Sequence, residues 1–258
     1  MHIHDATVTT ASSGLVPSAS NSNSSTSTSS GGILLHDPLA EVPSTDFWIF
    51  GYGSLIFKPP PFGVERAVPG YISGYVRRFW QLSHDHRGTP EQPGRVVTLV
   101  EREYWQSLDG DPHSDVSGEK TFGIAYKIVP DEVPAVSAAL DLREQDGYSA
   151  HFVPFTASDP SLPQLHCIVY IGTPDNEAFA GVERDIDALA KVIYESEGPS
   201  GRNSEYLFKL ADALTTLHSQ HDDLYEDIHV SELARKVKML ESSGGRPETE
   251  TPAQLTKF

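Results

Sequence analysis

Hydrophobic positions come in two rhythms along this chain, and the switch between them divides it. From Asp46 to about residue 172 they fall in short runs: 46–50, 67–80, "RVVTLVE" at 95–101, "TFGIAYKIV" at 121–129, "AHFVPFT" at 150–156 and "LHCIVYIG" at 165–172. Runs of that length, rich in β-branched and aromatic residues and bounded by Gly, Pro, Asp and Ser, predict strands. Past residue 180 the spacing lengthens to three and four. Ile186, Leu189, Ala190 and Ile193 predict a helix over 183–196 that stops at "GPSG". Leu207, Leu210, Leu214 and Leu217 predict another from about Asn203, and Leu233, Val237 and Leu240 a third near 223–240. One helix interrupts the strands at 131–145, with Asp131 placed to cap it and "DGY" at 146–148 to end it. The Gly-, Asp-, Ser- and Pro-containing stretch 103–120 reads as a loop insertion. Strands first and helices mainly last, without regular βαβ alternation, predict an α+β fold with a barrel-like or strongly curved mixed sheet.

Both ends lack such a pattern. Residues 1–45, centred on "PSASNSNSSTSTSSGG", hold too few apolar groups to offset the entropy of ordering and read as a disordered Ser-rich tail. The stretch 241–258, "ESSGGRPETETPAQLTKF", reads as a shorter flexible tail, leaving a single domain at 46–240. The N-terminus has neither a basic nor an apolar leader region, and the first Lys or Arg is Lys58, so the cytoplasm is the expected location. No run approaches the roughly 18 apolar residues of a membrane span. A single cysteine, Cys167, excludes an internal disulfide and a cysteine-based zinc site.

A net charge of −17 argues against nucleic acid or an anionic membrane as partner. Yet between Asp46 and Arg102 seven Lys/Arg face five Asp/Glu, a mildly basic block inside an acidic chain. That block suits a small anionic ligand, or else ordinary surface ion pairs.

The block starts at "FWIFGYGSL" (47–55), an apolar run that stops at Gly-Tyr-Gly-Ser. Phosphate readings of this turn fail. The third glycine of GxGxxG would fall on Ile56, and a GxSxG elbow around Ser54 would need glycines at Tyr52 and Ile56. "GPSGRN" at 198–203 lacks the spacing and Gly-Lys pair of a P-loop, and HExxH is absent. His84 and His86 in "HDHRG" would share a strand face, but no third ligand of suitable spacing follows, so they read as hydrogen-bonding residues rather than a metal site.

Glu144 stands out on the 131–145 helix. Val133, Val136 and Leu140 recur at spacings of three and four, and the next position on that stripe is Glu144. A carboxylate there meets the core in the last helical turn, where burial and the helix dipole both raise its pKa above the usual value of about 4.3, as suits a general base. In the other reading the helix ends early and Glu144 pairs with Arg143 or another surface cation.

Six blocks taken together resemble the ChaC-type glutathione-specific γ-glutamylcyclotransferases: "FGYGSLIFKP", "YISGYVRRFWQLSHDHRGTPEQPGRVVTLV", "GIAYKI", "LDLREQDGY", "YIGTPDNEAF" and "GPSGRNSEYLFKLADAL". They occur in the family's order across about 47–214, and only the N-terminal tail and the 103–120 insertion depart from its compact members. The resemblance implies a small mixed β-barrel with flanking helices. It implies cleavage of glutathione to 5-oxoproline and cysteinylglycine, without metal or cofactor. By position, Tyr52, Gly53 and Ser54, with Ile49, Phe50 and Gly51 leading in, would hold the γ-glutamyl group, and the family's catalytic Glu falls on Glu144. Tyr148 would orient that carboxylate or the substrate amine, or else pack as a plain aromatic. Arg78, or its neighbour Arg77, would meet a substrate carboxylate. "GPSGRN" reads first as the cap of the helix that follows and second as a segment closing the site. The same reaction on other γ-glutamyl amines or dipeptides, and a non-catalytic γ-glutamyl-binding protein, are the alternatives. Monomer and dimer are both compatible with the sequence.

Overall fold

The computed structural model of the chain describes residues 44–115, 118–143, 148–220 and 226–244. Most of the expected N-terminal tail and C-terminal tail, together with Glu144, therefore lies outside the described residues.

The first apolar run forms β1 (Trp48–Gly51), buried along its whole length. β2 (Val64–Ser73) and β3 (Tyr75–Ser83) follow. They occupy the stretch expected as one strand, 67–80. The chain breaks at Gly74, whose φ of 84° only glycine adopts without strain. β2 stays in the same sheet as β1, whereas β3 leaves to pair antiparallel with β4 (Gly94–Glu101). Next come a short helix α1 (Arg102–Gln106), β5 (Lys120–Ile128), α2 (Val133–Arg143), β6 (Ser149–Ala157) and β7 (Leu165–Ile171).

β1, β5, β2, β6 and β7 close into a barrel in that order. Its neighbours are antiparallel except where β7 meets β1 in parallel, at Ile49 and Ile168. The fold is thus α+β with a closed mixed barrel and flanking helices. Alternation along β1 explains why a central barrel strand is apolar throughout. Trp48 and Phe50 point into the barrel, where Phe50 meets Phe155 of β6 with ring centroids 5.6 Å apart. Phe47 and Ile49 point outward under α2, against Val136, Leu140 and Ile168. The α2 stripe read from the sequence is therefore buried as far as Leu140, but the helix opens without Asp131 as its cap; a 3-10 turn at Pro130–Glu132 leads in, and no side chain caps it.

The chain closes with α3 (Ile186–Glu195), a small hairpin of β8 (Glu197–Gly198) and β9 (Gly201–Arg202), α4 (Asn203–Gln220) and α5 (Ile228–Ser243). Leu189, Ile193, Leu207, Leu210, Val230, Leu233 and Val237 pack these helices with Phe79, Val97 and Leu99 of the β3–β4 ribbon into the same core as the barrel interior. Asp185 caps α3 by accepting from the N–H groups of Asp187 and Ala188, and Asp227 caps α5 by accepting from Val230. α5 runs three residues past the Leu240 expected as the edge of the domain.

The described residues of the 103–120 segment, expected as a loop insertion, are anchored at three positions. Trp105, Asp111 and His113 are buried, and the guanidinium groups of Arg78 and Arg102 lie 5.2 and 5.6 Å from the Trp105 ring. Cys167 is fully buried in the barrel, and burial pushes its thiol pKa far above the ordinary value. No helix among the described residues is long and apolar enough to cross a membrane.

Candidate functional site

β1 delivers the chain into a tight turn at one end of the barrel. The Ile56 N–H donates to Gly53 O at 3.0 Å and the Phe57 N–H to Ser54 O at 3.2 Å, which makes Ser54–Ile56 a 3-10 turn, and the Lys58 N–H closes it by donating to Ser54 O at 2.8 Å. Two tyrosines pin it from below. Tyr52 Oη donates to Tyr170 O at 2.8 Å, and Tyr126 Oη donates to Leu55 O at 2.7 Å. Burial pushes the Tyr126 hydroxyl up to about 12, which keeps it a donor across the ordinary pH range. Glycine is required by space as well. A Cβ on Gly51 would sit 2.6 Å from Leu55 Cβ, and one on Gly53 2.9 Å from Val97 Cγ2.

The turn forms one wall of a cleft of about 240 Å³. Phe50, Tyr52, Gly53 and Ser54 line this wall, and Tyr148 and Tyr170 line it beside them. Opposite lie Ser83, His86 and Arg87, which follow from the end of β3, with Ser200 of the β8–β9 hairpin and Tyr206 of α4. Lys58 completes the rim. The hairpin is fastened to the His86–Gly88 backbone: Ser200 N–H donates to His86 O at 2.9 Å, and a Cβ on Gly198 would come within 2.4 Å of that same oxygen. His86 Nδ1 lies 3.2 Å from Ser200 Oγ. Of "GPSGRN", Ser200 therefore lines the cleft. The segment's Asn203 holds β4 instead of capping a helix, accepting from Arg95 N–H and donating to Arg95 O, both at 2.7 Å.

Of the residues singled out by sequence, Phe50, Tyr52, Gly53, Ser54 and Tyr148 are brought together here. Ile49 and Gly51 are not on the cleft surface; they support it from the core and from beneath the turn. Arg78, expected to meet a substrate carboxylate, does not line this cleft, and neither does Arg77. A second cavity of about 180 Å³ lies between β3, β5 and the α4–α5 helices, and both Arg77 and Arg78 line it. Their charges are already committed. Arg78 Nε donates to Asp111 Oδ2 at 2.7 Å, while Arg77 donates to Asp227 Oδ2 at 2.8 Å and to Phe122 O. Burial alone would raise the Asp111 carboxyl, but Arg78 and hydrogen bonds from His113 N–H and Trp105 Nε1 hold it below the usual carboxylate range.

Arg87, His86 and Tyr206 are cleft residues that the sequence does not assign to the site, whereas Ser200 falls in "GPSGRN", whose second reading is a segment closing it. The advance signal for Arg87 is the mildly basic block; its contacts join positions more than a hundred residues apart. Among the described residues no group of three or more His, Cys, Asp or Glu is placed to hold a metal ion.

Known proteins match this chain over the same region. A family model described as ChaC-like protein matches residues 47–240. A glutathione-specific gamma-glutamylcyclotransferase of Schizosaccharomyces pombe is 41% identical over 198 residues, spanning 76% of this chain and 94% of its own. A protein of the same description from Saccharomyces cerevisiae is 40% identical over 205 residues, spanning 67% and 88%. The crystal structure of a yeast γ-glutamylcyclotransferase specific to glutathione superposes with a TM-score of 0.66 at 36% identity, covering 75% of this chain and 96% of that one.

Proposed function

From the premise that this chain belongs to the ChaC-like protein family, we propose that it cleaves glutathione to 5-oxoproline and cysteinylglycine, with Glu144 moving the protons. The observation that carries this reading is the convergence of Tyr52, Gly53, Ser54 and Tyr148 on one cleft, in a chain whose relatives are named for that reaction.

A γ-glutamyl group carries its own nucleophile. Its α-amine attacks the γ-carbonyl carbon and closes a five-membered ring, so holding the chain folded supplies much of the barrier reduction by proximity. The new C–N bond gives a tetrahedral intermediate whose oxygen carries negative charge. Backbone N–H groups of the glycine-containing turn are suited to stabilise it, because they require no reorganisation. The bond to the cysteinyl nitrogen then breaks. The amine's proton passes to the Glu144 carboxylate and from there to the departing nitrogen, so the residue ends as it began. Water is not consumed, and no Ser or Cys nucleophile is needed.

Glu144 itself lies outside the described residues. Supporting its role, α2 packs through Leu140 against the cluster that holds Leu55 and Tyr170, and Tyr148, four residues after Glu144, lines the cleft.

Purified protein incubated with glutathione should give equimolar 5-oxoproline and cysteinylglycine by mass spectrometry. Glu144→Gln should slow turnover by about 100- to 10,000-fold, the usual worth of a positioned general acid–base. Undiminished turnover in that variant would remove Glu144 from the mechanism, and absence of product from the parent protein would overturn the reaction. Running γ-glutamyl dipeptides and γ-glutamyl amines beside glutathione sets the substrate range.

A further inference from the structure

We propose that Arg87 binds the C-terminal carboxylate of the peptide substrate, and so selects a γ-glutamyl peptide over γ-glutamyl amines and amides that lack this group. This rests on the γ-glutamylcyclotransferase reading of the cleft and names the contact that sets its selectivity.

The charge lining the cleft is the first argument. In a chain of net charge −17, the described cleft residues include the cations Lys58 and Arg87 but no Asp or Glu. A cationic cleft in an acidic protein attracts anions, and so favours a γ-glutamyl peptide, with its additional carboxylate, over a zwitterionic γ-glutamyl amide of no net charge.

The second argument is the hydrogen-bonding state of Arg87. Its backbone N–H donates to Ser83 Oγ at 3.0 Å, and its Nη1 donates to Arg202 O at 2.9 Å. Glu205 Oε2 stands 3.6 Å from the same Nη1, and the guanidinium lies over the Tyr206 ring at 6.0 Å. The side chain is 12% exposed, so its orientation is set by these contacts. The two polar contacts of the guanidinium, with Arg202 O and Glu205, both fall on Nη1. Among the described residues nothing accepts from Nε or Nη2, the pair of parallel donors that fits a carboxylate in bidentate fashion.

The third argument is separation. A Cβ on Gly53 would come within 3.1 Å of Tyr206 Oη, while the Tyr206 ring runs back beneath Arg87. One tyrosine side chain thus spans the distance between the turn assigned to the γ-glutamyl group and the unused arginine edge. A substrate seated by its γ-glutamyl end at the turn extends its remaining residues toward Arg87.

The test compares glutathione with its C-terminal glycinamide analogue, in which a neutral carboxamide of the same shape replaces the carboxylate. The parent protein should favour the acid by about 10- to 100-fold in kcat/KM, the range of one charge-assisted hydrogen-bonded contact. Arg87→Gln should lose that factor on glutathione, mainly through KM, and leave the glycinamide within about twofold of the parent. Arg87→Lys, which keeps charge without the fork, should recover part of it. A merely structural role would depress both substrates equally, as would a contact with the α-carboxylate of the γ-glutamyl group; either result overturns the proposal. Equal use of acid and amide by the parent overturns it too, while leaving the reaction intact. Should the parent turn over neither compound, the reaction fails separately and calorimetric titration with both ligands still decides: preference for the acid that disappears in Arg87→Gln supports the contact, and its absence overturns it.

Discussion

Arg78 and Arg87 lie nine residues apart in sequence and have opposite surroundings. Arg78 is enclosed within β3, its Nε on Asp111 and its Nη1 on Arg77 O, with the Trp105 ring alongside. Arg87 stands on the rim of the cleft with half its guanidinium unclaimed among the described residues. A buried arginine with a carboxylate of its own ties elements together, and one whose donors face an open cleft is available to a ligand. Residue type alone does not separate the two. What separates them is whether the fold supplies an acceptor.

The sharpest way to break this contrast is to strand the buried charge. Asp111→Ala leaves Arg78 without its carboxylate in a place where both side chains are at most 3% exposed. Stability should fall by about 3–5 kcal/mol, the cost of an uncompensated buried charge, and urea denaturation measures it.

A smaller effect should come from the histidines beside that pair. Phe79 N–H donates to His229 Nε2 at 3.1 Å, which places the His229 proton on Nδ1, facing His113 Nδ1 at 3.2 Å. His113 in turn gives its Nε2 proton to Glu232 at 2.9 Å. Burial first, then the charges of Arg78, His113 and Arg77, hold the His229 pKa well below its ordinary 6.5. The unfolded chain takes up this proton near pH 6.5 and the folded chain resists it. The stabilisation is therefore complete above that pH and is lost as pH falls toward the depressed folded value. Urea midpoints should drop on acidification below about pH 6.5, and less steeply in His229→Gln.

The smallest effect completes the comparison. Arg87→Gln should cost under about 1 kcal/mol in the same denaturation experiment, because its Glu205 partner is half exposed and the pair is loose. A large loss there would make Arg87 another structural arginine.

Much of the barrel was legible because its strands are short apolar runs with clear stops, and the helices because leucines recur at their period. The division of 67–80 was hidden in one residue: Gly74 looks like any glycine between apolar positions until its φ of 84° is known. A barrel was expected, but which strands close it was hidden, since the parallel β1–β7 pairing joins strands more than a hundred residues apart. In the cleft, the Tyr52-Gly53-Ser54 turn could be marked from local sequence, because a strand ending in alternating glycines announces a close approach. Arg87 could not be assigned locally. Its setting depends on Arg202 and Ser200, and "HDHRG" by itself reads as a turn. The setting of the arginine pair was hidden for the complementary reason: its carboxylate partners, Asp111 and Asp227, are 33 and 150 residues distant.

The barrel also shields the chain's one cysteine. Cys167 has no exposed surface, and its raised pKa leaves almost no thiolate. A protein that handles a thiol peptide works amid that peptide's oxidised, disulfide-linked form, which captures reactive cysteines as mixed disulfides. Here there is no reactive thiolate to capture. The rate of such a protein would follow how much reduced peptide is present, without the catalyst itself being switched by the redox balance it helps to set.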